Sequence, residues 1–163
     1  MINAYELERE PLKGGLNQSY FVRGDFGRIA LLRVAHGDRS GSDDIFRSYY
    51  DATGFTTTDK GKVVMRSPRE QYDFTYSAAI RGLAVLPPLA IEGDRIILPF
   101  LEGMQTLADY LGEGNGDPRA LLPAIFGDLR NAHKKGFIYG DRASKNILVD
   151  KRGFINIDFD LAI

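Results

Sequence analysis

Two aspartates and an asparagine near the end of the sequence have types and spacing that could bind a metal ion and move a proton. Asp141 and Asn146 lie in the segment YGDRASKNILVD, and Asp158 follows in FINID after a glycine turn. A hairpin formed by the two segments would bring these side chains together. Carboxylate and amide oxygens suit Mg²⁺, which binds one or two protein carboxylates together with phosphate oxygens. The expected chemistry is Mg²⁺-dependent phosphoryl transfer.

The expected roles of the residues differ. An aspartate that is free of metal, such as Asp141, could accept a proton from an attacking hydroxyl. Asn146 and Asp158 would then be the metal ligands, and Lys145 could neutralise charge on the phosphoryl group during transfer. Each residue alone could equally shape a turn, because Asp and Asn are common turn residues. The combination is more specific than any one member.

The composition is that of an ordinary folded protein and excludes several classes. The 163 residues are 44% hydrophobic and 26% charged, with a net charge of −1 and no cysteine. The near-zero charge gives no bulk case for a nucleic-acid partner, and the lack of cysteine excludes a disulfide scaffold or a thiolate zinc site. The sequence shows neither a secretory signal nor an apolar run of about 20 residues. We therefore expect a cytoplasmic protein without a transmembrane segment.

Periodicity and turn signals predict an α+β protein of two lobes. SYFVRGDFGRIALLRV predicts a hairpin, SPREQYDFTYSAAIRGL a capped helix, and LAVLPPLAIEGDRIILPFLEG two further strands. A longer helix in DPRALLPAIFGDLRNAHKKG is expected to start or bend at Pro123. One face of this helix is predicted to carry Leu122, Ile125, Phe126 and Leu129. We expect an N-terminal lobe over residues 1–98 and a C-terminal lobe over residues 99–163.

The pattern D-x4-N-[ILV]3-D, followed by I-D-F, resembles the catalytic loop and metal-binding motif of the protein-kinase-like superfamily. The resemblance implies a two-lobe fold, ATP and Mg²⁺ as cofactors, and kinase activity. On this resemblance Asp141 is the catalytic base, while Asn146 and Asp158 bind the metal. Lys145 stands where tyrosine kinases carry an arginine.

Two upstream segments carry a looser resemblance to the nucleotide site of the same superfamily. Gly14 and Gly15 in KGGLNQSYFV resemble the glycine-rich strand-loop-strand, especially its form in aminoglycoside and choline kinases. ILPFLEG resembles the hinge between the lobes. The resemblance implies that the backbone near Phe100 and Leu101 holds adenine.

Arg33 in ALLRV stands where the superfamily normally presents a lysine to the α- and β-phosphates. Glu70 is the first candidate for the helix glutamate that pairs with this side chain, and Asp73 is the second. The alternative for Glu70 is a purely structural role, because Ser67 and Glu70 also fit a capping box.

Several residues depart from the protein-kinase motifs and indicate which members of the superfamily the sequence resembles most. Tyr139 and Gly140 replace His-Arg, and Asp160 replaces the glycine of D-F-G. The IDFD spelling and the segment GMQTLADYL are most similar to lipopolysaccharide-core sugar kinases, which phosphorylate Kdo or heptose. This likeness implies a small hydroxylated acceptor, such as a sugar or a lipopolysaccharide core residue. It also implies peripheral contact with the inner face of the membrane.

The chain ends at Ile163, soon after this motif. The resemblance therefore implies a minimal, truncated helical C-lobe without an activation segment. Arg33 and Asp160 favour an alternative, a non-catalytic module that binds nucleotide or another protein. A minimal protein kinase, like those among secreted bacterial effectors, is a further alternative.

Asp160 itself has two interpretations. If the last strand continues through Phe159, Asp158 and Asp160 share one face and both reach the metal region. If the chain turns after Asp158, Asp160 caps that turn in solvent.

Overall fold

The structure, a computed structural model, describes residues 6–8, 12, 18–24, 27–34, 66–114, 117–159 and 162. Its first part comprises β1 (Glu6–Leu7), β2 (Gln18–Gly24), β3 (Gly27–Val34), α1 (Pro68–Ile80), β4 (Ala90–Glu92) and β5 (Arg95–Pro99). Its second part comprises β6 (Gln105–Thr106), α2 (Leu107–Gly112), α3 (Pro118–Lys134), a 3₁₀ turn (Ser144–Asn146), β7 (Ile147–Asp150) and β8 (Gly153–Asn156). The predicted α+β class is confirmed. The predicted boundary between residues 98 and 99 stays a prediction.

The first sheet places Arg33 beside α1. Its strands are antiparallel in the order β1-β2-β3-β5-β4, and the predicted β2–β3 hairpin is confirmed. Val22, Ala30, Leu32 and Ile97 form its buried apolar cluster. Because side chains alternate along a strand, Arg33 leaves the sheet on the face opposite Leu32. It thereby faces the space between the sheet and α1.

Helix α1 forms where the sequence predicted it, because both of its ends are specified locally. The Ser67 side chain accepts from the Glu70 backbone N–H, the Glu70 carboxylate accepts from Ser67, and Pro68 occupies the first helical position. Gly82 follows the helix with a φ of 74°, which a glycine adopts at little cost. The buried face carries Gln71, Phe74, Thr75 and Ala78, at helical spacing.

Helix α3 does not start at Pro123, so the first of the two alternatives for this residue was wrong, and the bend stays a prediction. The helix begins at Pro118, after Asp117 caps it by accepting from the Arg119 N–H, and it continues through Pro123. The cap at Asp117 and the proline at the first helical position favour a helix start ahead of Pro123.

The prediction for the apolar face of α3 was also partly wrong. Phe126 is 62% exposed rather than buried. Leu121, Ile125 and Ala132 lie on the buried side, and Asp128 shares their helical spacing. A polar residue therefore sits in the buried stripe of this helix.

The second sheet carries the end of the chain. Its strands are antiparallel in the order β6-β7-β8, and the predicted β7–β8 hairpin is confirmed. Ile147 and Val149 of β7 form a buried cluster with Leu107 of α2 and Ile125 of α3. The Asn156 N–H donates to the Ala84 carbonyl at 2.8 Å, so the segment after α1 attaches to the end of β8. None of the described helices is both long and apolar enough to cross a membrane.

Candidate active site

The loop before β7 brings Asp141 and Asn146 into contact. Asn146 is buried, and its side-chain Nδ2 donates to the Asp141 carbonyl at 2.8 Å and to the Asp141 carboxylate Oδ2 at 3.4 Å. The Asn146 carbonyl in turn accepts from the Ile157 N–H at 2.9 Å. Because Ile157 immediately precedes Asp158, the loop and the final turn lie side by side. The predicted base and both predicted metal ligands therefore belong to one region.

The chain turns at Asp158. Strand β8 ends at Asn156, and Asp158 is the single described non-glycine residue with a positive φ, at 67°. Phe159 is buried, with ring centroids 5.5 Å from Phe74 and 5.6 Å from Tyr139. The turn interpretation is confirmed at Asp158, because the strand does not continue through Phe159. Asp160 lies outside the described residues, so its own role stays a prediction.

Arg33 meets the predicted metal ligand directly. Its Nη1 lies 2.8 Å from Asp158 Oδ1, and the two side chains are 11% and 30% exposed. No donor in the described part of the chain is aligned with this buried oxygen as a hydrogen bond. A small cavity of about 20 Å³ adjoins the pair and is also lined by Gln71 and Thr75 of α1. The pair joins β3 to the turn that carries Asp158.

The predicted pairing of Glu70 with Arg33 is corrected by the structure. The Glu70 carboxylate accepts from the Ser67 backbone N–H and hydroxyl, both at 2.8 Å, on the exposed side of the helix. These contacts lower the pKa of Glu70. The second candidate, Asp73, pairs with Arg69 on the surface at 3.0 Å. The residues of α1 that line the cavity beside Arg33 are Gln71 and Thr75, and both are neutral.

The donor set fits a hard divalent cation such as Mg²⁺. Asp158 Oδ1 is a buried carboxylate oxygen without an aligned donor among the described residues. The Nδ2 of Asn146 is engaged with Asp141, which leaves its carbonyl Oδ1 as the atom suited to a cation. The described residues contain no group of three or more His, Asp or Glu side chains that could hold a metal alone. Two protein oxygens completed by phosphate and water are the arrangement that Mg²⁺ commonly uses.

The structure gives fewer contacts for the remaining predicted site residues. Lys145 is exposed in the 3₁₀ turn beside Asn146. At the predicted hinge, the Phe100 N–H donates to the Ile29 carbonyl at 3.3 Å and the Leu101 carbonyl accepts from Met104 at 3.2 Å. The adenine contact expected near Phe100 and Leu101 stays a prediction. The predicted glycine loop at residues 14 and 15 lies outside the described residues.

Sequence reasoning missed a largely buried group of polar side chains next to this site. We call it the polar cluster, and it comprises Asp128, Tyr139, Arg142 and Asn156. Asp128 Oδ2 accepts from Asn156 Nδ2 at 3.0 Å, from the Tyr139 hydroxyl at 3.2 Å and from Arg142 Nη2 at 3.3 Å. Burial raises the pKa of Tyr139 and lowers that of Arg142. A signal was present in the sequence, since Asp128 interrupts the apolar spacing of α3.

Comparison with known proteins supports the fold. No family model and no curated protein matches the sequence. Two crystal structures of the Rio2 kinase from Chaetomium thermophilum match 99% of this chain at 16% identity, with TM-scores of 0.67 and 0.66. The first is a complex with ADP, Mg²⁺ and phosphoaspartate. The chain spans about half the length of these Rio2 chains, at 49% and 50%. It therefore has a protein-kinase-like two-lobe fold.

Proposed function

We propose that this protein is an ATP- and Mg²⁺-dependent phosphotransferase that phosphorylates a hydroxyl of a small molecule. The observation that carries the proposal is the contact of Asn146 with Asp141, beside the turn that presents Asp158, within a protein-kinase-like fold. Two polar residues that shape unrelated turns would not need to meet at the end of one hairpin. The arrangement provides one carboxylate for a proton and one for a cation.

The proposed reaction assigns a separate task to each residue. The acceptor oxygen forms a bond to the γ-phosphorus, the bond from that phosphorus to the bridging oxygen breaks, and ADP leaves. Asp141 accepts the proton of the acceptor hydroxyl. Asp158 and Asn146 would hold Mg²⁺, which, when bound, offsets negative charge on the phosphate oxygens. Lys145 and Arg33 supply further positive charge to the phosphates.

The proposed acceptor is a sugar or a lipopolysaccharide core residue. The IDFD spelling and the replacement of His-Arg by Tyr139 and Gly140 favour a small acceptor. On this proposal the protein is cytoplasmic and contacts the inner face of the membrane peripherally. The phosphoaspartate in one Rio2 structure favours a competing acceptor for this chain, an aspartate carboxylate.

A second candidate function is a non-catalytic module that binds nucleotide or another protein. The ion pair between Arg33 and Asp158 favours it, because the arginine already neutralises the carboxylate that would bind metal. Arginine also grips phosphate as a planar fork, unlike the point charge of lysine.

Two measurements separate these proposals. The first follows thermal stability with ATP and Mg²⁺, where a ligand at a hundredfold excess over Kd adds about 2.7 kcal/mol. The second follows phosphate transfer from ATP to a panel of sugars, to a generic protein and to the chain itself. We expect stabilisation and transfer to a sugar. Phosphorylation of protein alone would overturn the small-molecule acceptor, and a folded sample without stabilisation would overturn both nucleotide-dependent functions.

The assigned roles predict different behaviour for two isosteric variants. Asp141→Asn should keep stabilisation by ATP and Mg²⁺ but lower turnover by about 10²- to 10⁴-fold, because only proton acceptance is removed. Asp158→Asn should lower Mg²⁺-dependent nucleotide binding as well. Asp109→Asn, on the exposed first turn of α2, is the control and should change neither quantity. Equal loss of nucleotide binding in the first two variants would show that Asp141 is only structural.

A further inference from the structure

We propose that Asp128 is a positioning residue that acts through Arg142 to hold the loop carrying Asp141. The inference rests on the proposed function for the catalytic role of Asp141. Asp128 is largely buried in α3, with 9% of its side chain exposed, and both of its carboxylate oxygens accept from the protein, so it is not placed to bind a substrate. Its effect on chemistry must therefore pass through the residues that it touches.

Asp128 connects three other segments of the chain to α3. Its Oδ1 accepts from the Ala84 N–H at 3.1 Å, in the segment that follows α1. Its Oδ2 accepts from Tyr139 and Arg142 in the loop before β7, and from Asn156 at the end of β8. One carboxylate thus fixes the loop relative to both the hairpin and α1.

Arg142 transmits this constraint to its neighbour Asp141. The Arg142 side chain is 10% exposed, and its Nε donates to Asn156 Oδ1 at 3.0 Å. Its Nη1 has no hydrogen-bond partner among the described residues, so the charge of Asp128 is a main compensation for this buried cation. Asn146 holds the Asp141 carbonyl from the other side at 2.8 Å. The backbone of Asp141 is therefore fixed between two inward-directed side chains.

The position of this loop matters because Asp141 must reach the acceptor hydroxyl. A general base acts only within hydrogen-bond distance of the proton that it accepts. A displacement of about 1 Å can lower the rate about a hundredfold, even when the altered residue is remote from the reacting atoms. Asp128→Asn keeps the size of the side chain but removes the charge opposite Arg142. The loop would then lose its ionic contact with α3, while every residue proposed to contact ATP or the acceptor stays unchanged.

The test measures ADP release from ATP and Mg²⁺, with water as the acceptor, together with the side-chain amide signals of Asn146 in ¹H–¹⁵N spectra. We expect Asp128→Asn to lower kcat about a hundredfold, to leave the KM for ATP within about twofold, and to shift the Asn146 signals. The control is Ile97→Ala, a core truncation in the first sheet. It should lose thermal stability but keep kcat and the Asn146 signals. Unchanged kcat and unchanged signals in Asp128→Asn would overturn the proposal.

A double variant keeps the test decisive if Asp128→Asn alone does not fold. Asp128→Asn with Arg142→Met removes both charges of the pair, so no unpaired charge is left in this largely buried position. We expect partly recovered thermal stability with kcat still lowered, because the ionic link between α3 and Arg142 is absent. Recovery of both quantities together would assign Asp128 a structural role only. If the wild-type protein released no ADP, either with water or with any acceptor of the sugar panel, the proposed function would fail, and the Asn146 signals alone would decide the positioning role.

Discussion

The ion pair between Arg33 and Asp158 predicts a measurable coupling energy between the two lobes. The perturbations are Asp158→Asn, Arg33→Met and the double variant. Asparagine matches aspartate in size and tolerates the positive φ at this position, so the first variant removes only charge. The two residues lie on β3 and on the final turn, so their coupling reports on contact between the two sheets.

The magnitude follows from the burial of the pair. Breaking a fully buried pair costs about 3–5 kcal/mol, whereas exposed pairs contribute about 0.2–1 kcal/mol. With side chains 11% and 30% exposed, this pair lies between the two limits. We expect each single variant to lose about 2 kcal/mol of unfolding free energy. That loss corresponds to a melting temperature lowered by about 4–8 °C in a chain of this length.

The assay is urea denaturation of the four proteins in a double-mutant cycle, without nucleotide or Mg²⁺. The double variant should lose less than the sum of the single variants by about 2 kcal/mol. In a parallel titration, Mg²⁺ should stabilise Arg33→Met more than the wild type, because in this variant Mg²⁺ no longer competes with an arginine for Asp158. A coupling energy below about 0.5 kcal/mol, the usual limit of additivity, would refute the pair as a stabilising contact.

Two further predictions concern groups whose pKa is shifted by the fold. Glu70→Ala should lower stability by about 1 kcal/mol through loss of the cap, yet leave ATP binding unchanged; weaker binding in a thermal-shift titration would restore Glu70 to the nucleotide site. The pKa of Tyr139 is raised by burial, so the unfolded chain loses this proton first, near the usual tyrosine pKa of 10.0. Stability should therefore fall as the pH rises above that value. Tyr139→Phe should lack this part of the fall, and parallel losses in both proteins during alkaline denaturation would contradict the assignment.

Most elements could be predicted because their signals are local. The cap of α1 and both hairpins depend on residues close together in sequence, and these elements form as expected. Phe126 and Leu121 show where local reasoning fails. Both fit an apolar face of α3, but only contact with β7 and β8 decides which one is covered. Helical spacing shows which residues lie on the same side of a helix, and tertiary packing decides which of them are buried.

The same division between local signals and tertiary packing applies to the candidate active site. Asp141, Asn146 and Asp158 were found because a short hairpin alone brings them together. Which residue of α1 lies near Arg33 depends on the rotation of the helix against the first sheet, which the sequence does not record. Glu70 fitted two roles equally, and the local cap contact formed. The contacts of Asp128 join residues from 84 to 156, so no local pattern contains them.

The left-handed backbone at Asp158 restricts how this position can change over evolution. Asparagine and glycine accept a positive φ at low cost, whereas most other residues lose about 1–2 kcal/mol there. Glutamate preserves the charge but not this tolerance, so we expect it to be a worse replacement than neutral asparagine. A lineage that abandoned metal binding would therefore keep its fold most readily through replacement of Asp158 by asparagine or glycine. Among relatives of this protein, asparagine or glycine at this position would indicate that metal binding was lost while the fold was kept. Other residues there would indicate that the turn itself had changed.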